Sequence, residues 1–453
     1  MSNNRHGLNW DRTRSLFLKE REAFAAARPK SAALSARAAK HFLFGVPLHW
    51  MNDWSTPFSL YVDQAKGARF TDADGFQYTD FCLGDTGAMF GHAPEPVAQA
   101  VAAQAAKGFT AMLPSEDGVW VAEELARRFG LPYWQFAMTA SDANRFVIRW
   151  ARAATGRNKI LIFNGCYHGT VDDVFVDLVD GVPVQRESLL GQVYDLKENT
   201  KVVEFNDLDA LEAALRDGDV ACVLAEPAMT NIGMVLPEAG YWAKAQEIIK
   251  RHGTLLVIDE THTISTGPGG YTKAFGLQPD LFVVGKPVGG GVPCAVYGFT
   301  AEIAQRAQDA KKGAAPGHSG IGTTLTANLL ASAAMRANLE QVMTEAAYDY
   351  MFRLAARLAD GLRAVIAENR LPWCVTQIGA RTEFQFTPTP PKNGTEADRI
   401  LDSELEHAIH LFLLNRGLLI TPFHNMILVC PDTTAADVDR LVEGFAHFVA
   451  AAL

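Results

Sequence analysis

The chain has 453 residues, 48% of them apolar and 20% charged, a composition typical of a soluble globular protein with room for two domains. Its formal net charge is −10, so the chain lacks the excess of basic residues that is typical of nucleic-acid-binding proteins. The N-terminus has no apolar signal-peptide core, and no segment approaches the ~20 apolar residues that cross a bilayer. The six cysteines show no paired or metal-finger spacing. We therefore expect a cytoplasmic protein with reduced thiols that binds neither nucleic acid nor membrane.

The N-terminal region combines a helical pattern with a short strand pattern. Residues 11–41 are charged and Ala-rich, with apolar residues at helical spacing. Residues 45–54 are rich in glycine, proline and aromatic residues and predict an ordered loop. Residues 59–81 alternate apolar and polar residues around the turn signal Asp74–Gly75, which predicts antiparallel strands. We expect residues 1–70 to pack with a small C-terminal domain.

From about residue 95, helical patterns alternate with short, continuously apolar runs. The runs lie at 135–138, 159–163, 201–205, 221–225, 254–259, 281–284 and 295–299. Apolar runs between helices are typical of strands covered on both faces. Residues 71–335 are therefore predicted to form a large α/β domain with a mostly parallel, doubly wound sheet. Ligands of such sheets bind beyond the carboxyl ends of the strands.

The C-terminal region, residues 336–453, is predicted to be a smaller α+β domain. Helical patterns dominate up to Arg370, and a last helix begins with a capping pair, Thr434 and Asp437. Between them, strand-like pieces lie at 382–386, 418–420 and 426–430.

Three segments carry polar residues directly after predicted strands. Ser141 stands where a helix N-cap is expected, and a helix N-terminus favours an anion such as phosphate, although an ordinary capped helix explains the same pattern. Asp259 ends the strand 254–259, and with only His262 nearby we expect no metal. Lys286 follows the strand 281–284 and precedes three glycines. Such a lysine suits a Schiff base with a carbonyl group, and a surface lysine before a flexible turn is the alternative.

The three segments together are more specific than any one of them. They place an anion cradle, a carboxylate and an amine at strand ends of one predicted sheet. Pyridoxal 5′-phosphate (PLP) needs these parts, because its phosphate, its pyridine nitrogen and its aldehyde each require a partner. The combination predicts PLP as the cofactor.

Several motifs also carry a family resemblance. Asp259 is followed 27 residues later by Lys286 in GKPVGGG, and the other matching segments are 91–97, 139–169, 224–231 and 323–331. These segments resemble the class III aminotransferases of PLP fold type I, in the branch of glutamate-1-semialdehyde aminomutase. Within that branch, the segments GVPLHWMNDW, CLGDTGAMFGH and DETHTISTGPGG resemble the D-phenylglycine aminotransferases.

The chain departs from the family pattern at three places. Residues 139–142 read Thr-Ala-Ser-Asp, where relatives have Ser-Gly-Ser/Thr-Glu. After Glu260, Thr261 and the segment ISTGPGG replace a valine and a Gly-Phe-Arg sequence. Leu329 stands where relatives have proline.

The resemblance implies a role for each matched residue. Lys286 is expected to form the Schiff base and to shuttle protons, and Asp259 to pair with the pyridinium nitrogen. Tyr167 is expected to stack on the ring. Ala140 and Ser141 are expected to hold the phosphate.

The remaining site residues follow from the same resemblance. Asn231 and His262 are expected near the ring hydroxyl, where many relatives have glutamine at the position of His262. Thr324 is expected to reach the phosphate of the neighbouring subunit, which predicts a homodimer with shared active sites. Arg381 is a candidate for binding the substrate carboxylate, and a structural arginine is the alternative.

The resemblance also predicts the reaction. We expect an aminotransferase that moves an amino group from a D-arylglycine, such as D-phenylglycine or D-4-hydroxyphenylglycine, to 2-oxoglutarate, giving a 2-oxo acid and glutamate. A PLP-dependent isomerase, either an aminomutase or an amino-acid racemase, is the alternative, because Lys286 and Asp259 serve it equally. A non-catalytic PLP-fold binding module is a further alternative. A nicotinamide-dependent oxidoreductase is disfavoured, since no GxGxxG motif follows the first strand of the α/β region.

Overall fold

The computed structural model describes residues 4–453, which form two compact units. The larger unit comprises 95–345 and 391–399, and the smaller comprises the rest of the described chain. The predicted boundaries after residues 70 and 335 therefore shift to later positions. The first shift has a structural reason, because Leu418 and Leu419 pair with Thr79 and Asp80 and so hold the strands before residue 94 in the smaller unit.

Strands and helices are numbered along the chain. The strands are β1 (Asn4–Arg5), β2 (Leu8–Asn9), β3 (Val62–Lys66), β4 (Arg69–Asp72), β5 (Gln77–Asp80), β6 (Tyr133–Ala137), β7 (Lys159–Phe163), β8 (Val176–Val179), β9 (Val182–Gln185), β10 (Thr200–Val203), β11 (Val220–Ala225), β12 (Leu255–Asp259), β13 (Leu281–Val284), β14 (Ala295–Phe299), β15 (Cys374–Ile378), β16 (Arg381–Gln385), β17 (Leu418–Leu419) and β18 (Met426–Leu428). The helices are α1 (Trp10–Ala27), α2 (Pro29–Ala38), α3 (Glu95–Ala105), α4 (Glu116–Phe129), α5 (Ala140–Thr155), α6 (Leu208–Leu215), α7 (Tyr241–Arg251), α8 (Gly270–Phe275), α9 (Ala301–Gly313), α10 (Leu329–Gln341), α11 (Glu345–Glu368), α12 (Gly394–Asp398), α13 (Ser403–Leu414) and α14 (Ala435–Ala452).

The larger unit is organised around a seven-stranded sheet with the order β10-β7-β11-β12-β13-β14-β6. Neighbouring strands are parallel from β10 to β13, whereas β14 is antiparallel to both β13 and β6. Every residue of β11, β13 and β14 is buried, as expected for strands covered on both faces. This mostly parallel sheet confirms the predicted α/β fold class. It also brings the carboxyl ends of all its strands except β14 to one edge.

The smaller unit contains an antiparallel sheet, β15-β16-β18, and a four-stranded sheet, β17-β5-β4-β3. The predicted antiparallel strands around Asp74–Gly75 are confirmed as β3, β4 and β5. The predicted capping pair is also confirmed, because Thr434 and Asp437 form a reciprocal capping box at the start of α14. Within residues 4–453, no helix combines the length and the apolar character that a membrane span requires.

Candidate active site

Polar side chains follow the parallel strands of the larger unit at the edge where these strands end. Asp259 is the last residue of β12, and it lies beside Val283 of β13 in the strand register. Beyond the strands, the backbone N–H of Gly285 donates to Thr261 Oγ1 at 3.3 Å. Lys286 comes next in the chain. The sheet therefore holds the segments that carry Asp259 and Lys286 side by side.

Asp259 is a buried carboxylate, 3% exposed, with hydrogen-bond donors on both oxygens. Asn144 Nδ2 and His168 Nδ1 lie 2.8 and 2.9 Å from Oδ2, and the N–H of Thr261 donates to Oδ1 at 3.0 Å. Burial opposes the charge, but the hydrogen bonds from His168, Thr261 and Asn144 lower the pKa of Asp259 to about 2. Asp259 is therefore ionised at neutral pH.

His168 is the cationic partner of this carboxylate. Burial opposes its protonation, but the Cys166 sulfur and the Asp259 carboxylate raise the pKa of His168 to about 10. The Nε2 atom of His168 is buried and has no hydrogen-bond partner within residues 4–453. A protonated His168 makes the pair neutral overall, which is the form in which two charges are tolerated in a protein interior.

Sequence reasoning missed Asn144 and His168. Asn144 is fully buried on α5, on the same face as the buried Val147 and Ile148. An amide on the apolar face of an amphipathic helix was the available signal, because a buried polar group needs a partner. His168 carried no comparable signal apart from its place next to Tyr167.

The N-terminus of α5 is enclosed by glycines. The N-cap is Thr139, whose Oγ1 accepts the N–H of Asp142 at 3.1 Å, so the prediction that Ser141 caps this helix is wrong. Ser141 lies in the first turn, and its Oγ accepts the N–H of Thr170 at 3.0 Å. A Cβ at Gly285 would lie 2.9 Å from the Cβ of Ala140. A helix N-terminus approached this closely by backbone is suited to a phosphate group.

Lys286 and His262 form a close pair. Lys286 has a positive φ of 42°, a strained conformation for a residue with a side chain. Its Nζ lies 2.7 Å from Nε2 of His262, which is 5% exposed. Two positive charges at this distance would repel by about 6 kcal/mol at an effective dielectric constant of about 20. One proton therefore lies between the two nitrogens, and either residue can be its donor.

Three other predicted site residues lie in the larger unit and are at least partly accessible. Tyr167, after β7, is 39% exposed. Asn231 is half-buried, and its Nδ2 has no hydrogen-bond partner within residues 4–453. Thr324 is exposed in the turn before α10. Their proposed contacts with a cofactor stay predictions.

Arg381 lies in β16 of the smaller unit and is completely buried. Its Nε lies 3.2 Å from Glu383 Oε1, and its Nη1 lies 3.4 Å from Thr86 Oγ1. Within this unit the guanidinium is thus neutralised by Glu383. Its role in binding a substrate carboxylate stays a prediction.

The residues of the larger unit fit PLP. Asp259 is a carboxylate whose ionisation keeps a pyridine nitrogen protonated, and Oδ1 accepts one hydrogen bond within residues 4–453, which leaves it a lone pair. Asn231 offers an unpartnered amide. The enclosed first turn of α5 suits the phosphate, and Lys286 supplies the amine. The part of the chain that the structure describes contains no group of three or more His, Cys, Asp or Glu residues that could hold a metal ion.

The fold and this set of residues define a PLP-dependent enzyme of fold type I. The family model "Aminotransferase class-III" matches residues 50–449, and the chain belongs to this family.

Similar proteins point to one branch of the family. The crystal structure of a glutamate-1-semialdehyde aminomutase from Pseudomonas aeruginosa PAO1 matches with a TM-score of 0.97 and 50% identity, covering 99% of this chain and 100% of that chain. A lysine-to-alanine variant of such an aminomutase from the same organism, in complex with PMP, matches equally well. Glutamate-1-semialdehyde 2,1-aminomutase 2 of Halalkalibacterium halodurans is 34% identical over 393 residues, 85% of this chain and 89% of that protein.

These matches correct the expected reaction. The sequence was interpreted as a transaminase that uses a D-arylglycine and 2-oxoglutarate, and this interpretation is wrong. The similar proteins from Pseudomonas aeruginosa and Halalkalibacterium halodurans are aminomutases, which are isomerases. The predicted branch of the family and the predicted cofactor, PLP, are confirmed.

The enclosure of α5 generates a prediction about cofactor binding. Gly169 has φ 83°, and a Cβ there would lie 2.8 Å from the Cβ of Ser141. Gly169→Ala should displace the first turn and weaken PLP binding roughly 5- to 150-fold, as expected for about 1–3 kcal/mol of strain. The measurement is the dissociation constant of PLP by visible absorbance. Gly181→Ala is the matched control, because Gly181 has φ 76° and no atom within 4 Å of its Cβ position. Equal PLP affinity in the two variants would contradict the prediction that the first turn of α5 binds the phosphate.

The Asp259–His168 pair generates a prediction about pH. The pKa of Asp259 is below its usual 3.8, so its stabilisation is present above pH 3.8 and is lost as the pH falls towards 2. The pKa of His168 is above its usual 6.5, so its stabilisation is complete below pH 6.5 and is lost as the pH rises towards 10. The pair should therefore stabilise the fold most between these two usual values.

Thermal unfolding of cofactor-free protein tests this pH dependence. The loss of melting temperature caused by Asp259→Asn should be largest near pH 5–6 and should shrink as the pH approaches 10. Asp360→Asn is the control, since its side chain is 78% exposed. A loss that does not change with pH would show that the charged pair is not what stabilises the site.

Proposed function

We propose that this enzyme is an aminomutase that moves an amino group between adjacent carbons of glutamate 1-semialdehyde. The similarity to the Pseudomonas aeruginosa aminomutase over nearly the whole length of both chains carries this proposal. The buried Asp259 carboxylate and the neighbouring Lys286 segment are compatible with it, because an isomerase needs the same amine and the same acid as a transaminase.

The substrate carries an aldehyde at C1 and an amino group at C2. Exchanging the two functions gives 5-amino-4-oxopentanoate, which contains the same atoms. No second substrate is consumed, so the reaction requires no 2-oxo acid. PLP, when bound, supplies a conjugated ring that withdraws electrons from the carbon that loses a proton.

The residues of this chain then have defined tasks. Lys286 Nζ would hold the cofactor, and as a free amine it would accept a proton from one carbon and return it at another. Asp259 stays ionised and keeps the ring nitrogen protonated, with Asn144 and His168 fixing its orientation. Tyr167 covers one face of the ring.

Further contacts belong to the same proposal. Ala140 and Ser141 hold the phosphate in the first turn of α5. The unpartnered amide of Asn231 faces the ring hydroxyl, which would satisfy a polar atom that has no partner within residues 4–453. The exposed Thr324 serves the phosphate site of a second copy in a homodimer. The six free thiols are compatible with a cytoplasmic enzyme.

The isomerase proposal is tested by supplying glutamate 1-semialdehyde alone. The holoenzyme should form 5-amino-4-oxopentanoate without any 2-oxo acid. Product formation is measured by chromatography and mass spectrometry. Lys286→Ala should lower the rate by about 10²-fold or more, because the proton-transferring group is lost. Lys273→Ala, which changes an exposed lysine of α8, should leave the rate unchanged.

A panel of amino donors with 2-oxoglutarate provides the contrary outcome. The panel includes both enantiomers of phenylglycine. If glutamate forms from 2-oxoglutarate while glutamate 1-semialdehyde alone is not converted, the enzyme transfers amino groups between substrates and the aminomutase proposal is wrong. Inversion of a donor's configuration, with no new product skeleton, would identify a racemase instead.

A further inference from the structure

The segment after β12 places His262 opposite Lys286. The N–H of Glu260 donates to the carbonyl oxygen of Val283 at 2.8 Å, which extends the pairing of β12 and β13 by one residue. The N–H of Gly285 donates to Thr261 Oγ1 at 3.3 Å. His262 and Lys286 each follow one of these bonded residues directly. The contacts of the preceding residues therefore hold the backbones of His262 and Lys286 close to each other.

Glu260 gives the same segment a second support. It is completely buried, and its carboxylate accepts hydrogen bonds from Thr263 Oγ1 at 2.6 Å and from Thr272 N and Oγ1, both at 2.6 Å. The N–H of Tyr271 donates to it at 3.1 Å. Glu260 thus ties the turn after His262 to the start of α8. A side chain on a segment held in this way keeps its position, as a catalytic group requires.

The chemistry of Lys286 requires such a neighbour. An amine attacks a carbonyl carbon only in its uncharged form, so a proton must leave Nζ before the bond to the cofactor forms. The imidazole Nε2 at 2.7 Å is within direct hydrogen-bonding distance for this proton, and His262 is buried. Glutamine, which many relatives have at this position, accepts a hydrogen bond but cannot take up the proton.

We propose that His262 is the base that takes the proton from Lys286 Nζ and returns it when the amine condenses with a carbonyl group. This proposal rests on the role of Lys286 proposed above. It gives His262 a task in proton transfer, in addition to a place near the cofactor.

The step balances in atoms and charge. One proton moves from the ammonium group of Lys286 to Nε2, and the nitrogen lone pair then forms the bond to the carbonyl carbon. The carbonyl oxygen leaves as water with two protons, one returned by Nε2 and one from the attacking nitrogen. The third proton and the positive charge remain on that nitrogen, and His262 is neutral again.

The test measures cofactor attachment in the absence of any substrate. Full-length protein freed of cofactor is mixed with PLP, and the visible absorbance change that reports bond formation to Lys286 is followed by stopped flow from pH 7 to pH 10. At pH 7, His262→Gln and His262→Leu should both slow attachment by roughly 100-fold or more. Both variants should approach the wild-type rate near pH 10, where hydroxide in solution removes the proton. His252→Gln, a change at the end of α7, is the control and should have no effect.

Three outcomes would overturn the proposal. His262→Gln attaching PLP at the wild-type rate, with His262→Leu slow, would mean that His262 only positions Nζ. Wild-type rates in both variants would mean that it does neither. Slow attachment at every pH, without recovery, would indicate a damaged site rather than a missing base. None of these results depends on which substrate the enzyme uses, so they are distinguishable from a failure of the aminomutase proposal.

Discussion

The carboxylate of Asp259 has to remain ionised although it is buried, and much of the larger unit is arranged around that requirement. An isolated buried carboxylate would take up a proton, because desolvation favours the neutral form. Here three parts of the chain supply the donors that prevent this: α5 through Asn144, the segment after β7 through His168, and the segment after β12 through the N–H of Thr261. The hydrogen bond from His168 carries a compensating positive charge into the same interior.

The same arrangement places the rest of the site. Because α5 has to lie close enough for Asn144 to reach Asp259, its N-terminus comes to the strand edge, where Gly285 approaches Ala140. Because β13 pairs with β12, the residue that follows Gly285 is held beside the segment that carries His262. The positions of the Lys286 amine, the Asp259 carboxylate and the N-terminus of α5 thus follow from one sheet register and one helix position.

Local patterns predicted much of this, and long-range contacts account for most of what was missed. The apolar runs and helical spacing predicted the parallel sheet, and the positions of Asp259 and Lys286 at strand ends followed from it. Ser141 was predicted as the N-cap of α5, and the structure has Thr139 two positions earlier, because both residue types cap helices well. The contacts of Asn144 and His168 with Asp259 join residues 115 and 91 positions apart, which no local pattern reports. The short strands β8, β9 and β15 were not predicted at all.

The predicted reaction was wrong for a different reason. Lys286 and Asp259 perform the same tasks in transaminases and in aminomutases, so the motifs that predicted the cofactor and the family did not distinguish these reactions. Three short segments favoured D-arylglycine transaminases, whereas similarity over the whole chain favours aminomutases. Arg381, which was predicted to bind the substrate carboxylate, is held in an ion pair with Glu383.

Lys286, beside the Asp259 segment, is the residue that we expect to hold the cofactor. The most direct measurement is reduction of the holoenzyme with borohydride, followed by proteolysis and mass spectrometry of the modified peptide. We expect one cofactor-modified peptide, carrying the added mass on Lys286, and none from Lys286→Ala. Modification of a different lysine, or a borohydride-sensitive visible absorbance that persists in Lys286→Ala, would contradict it.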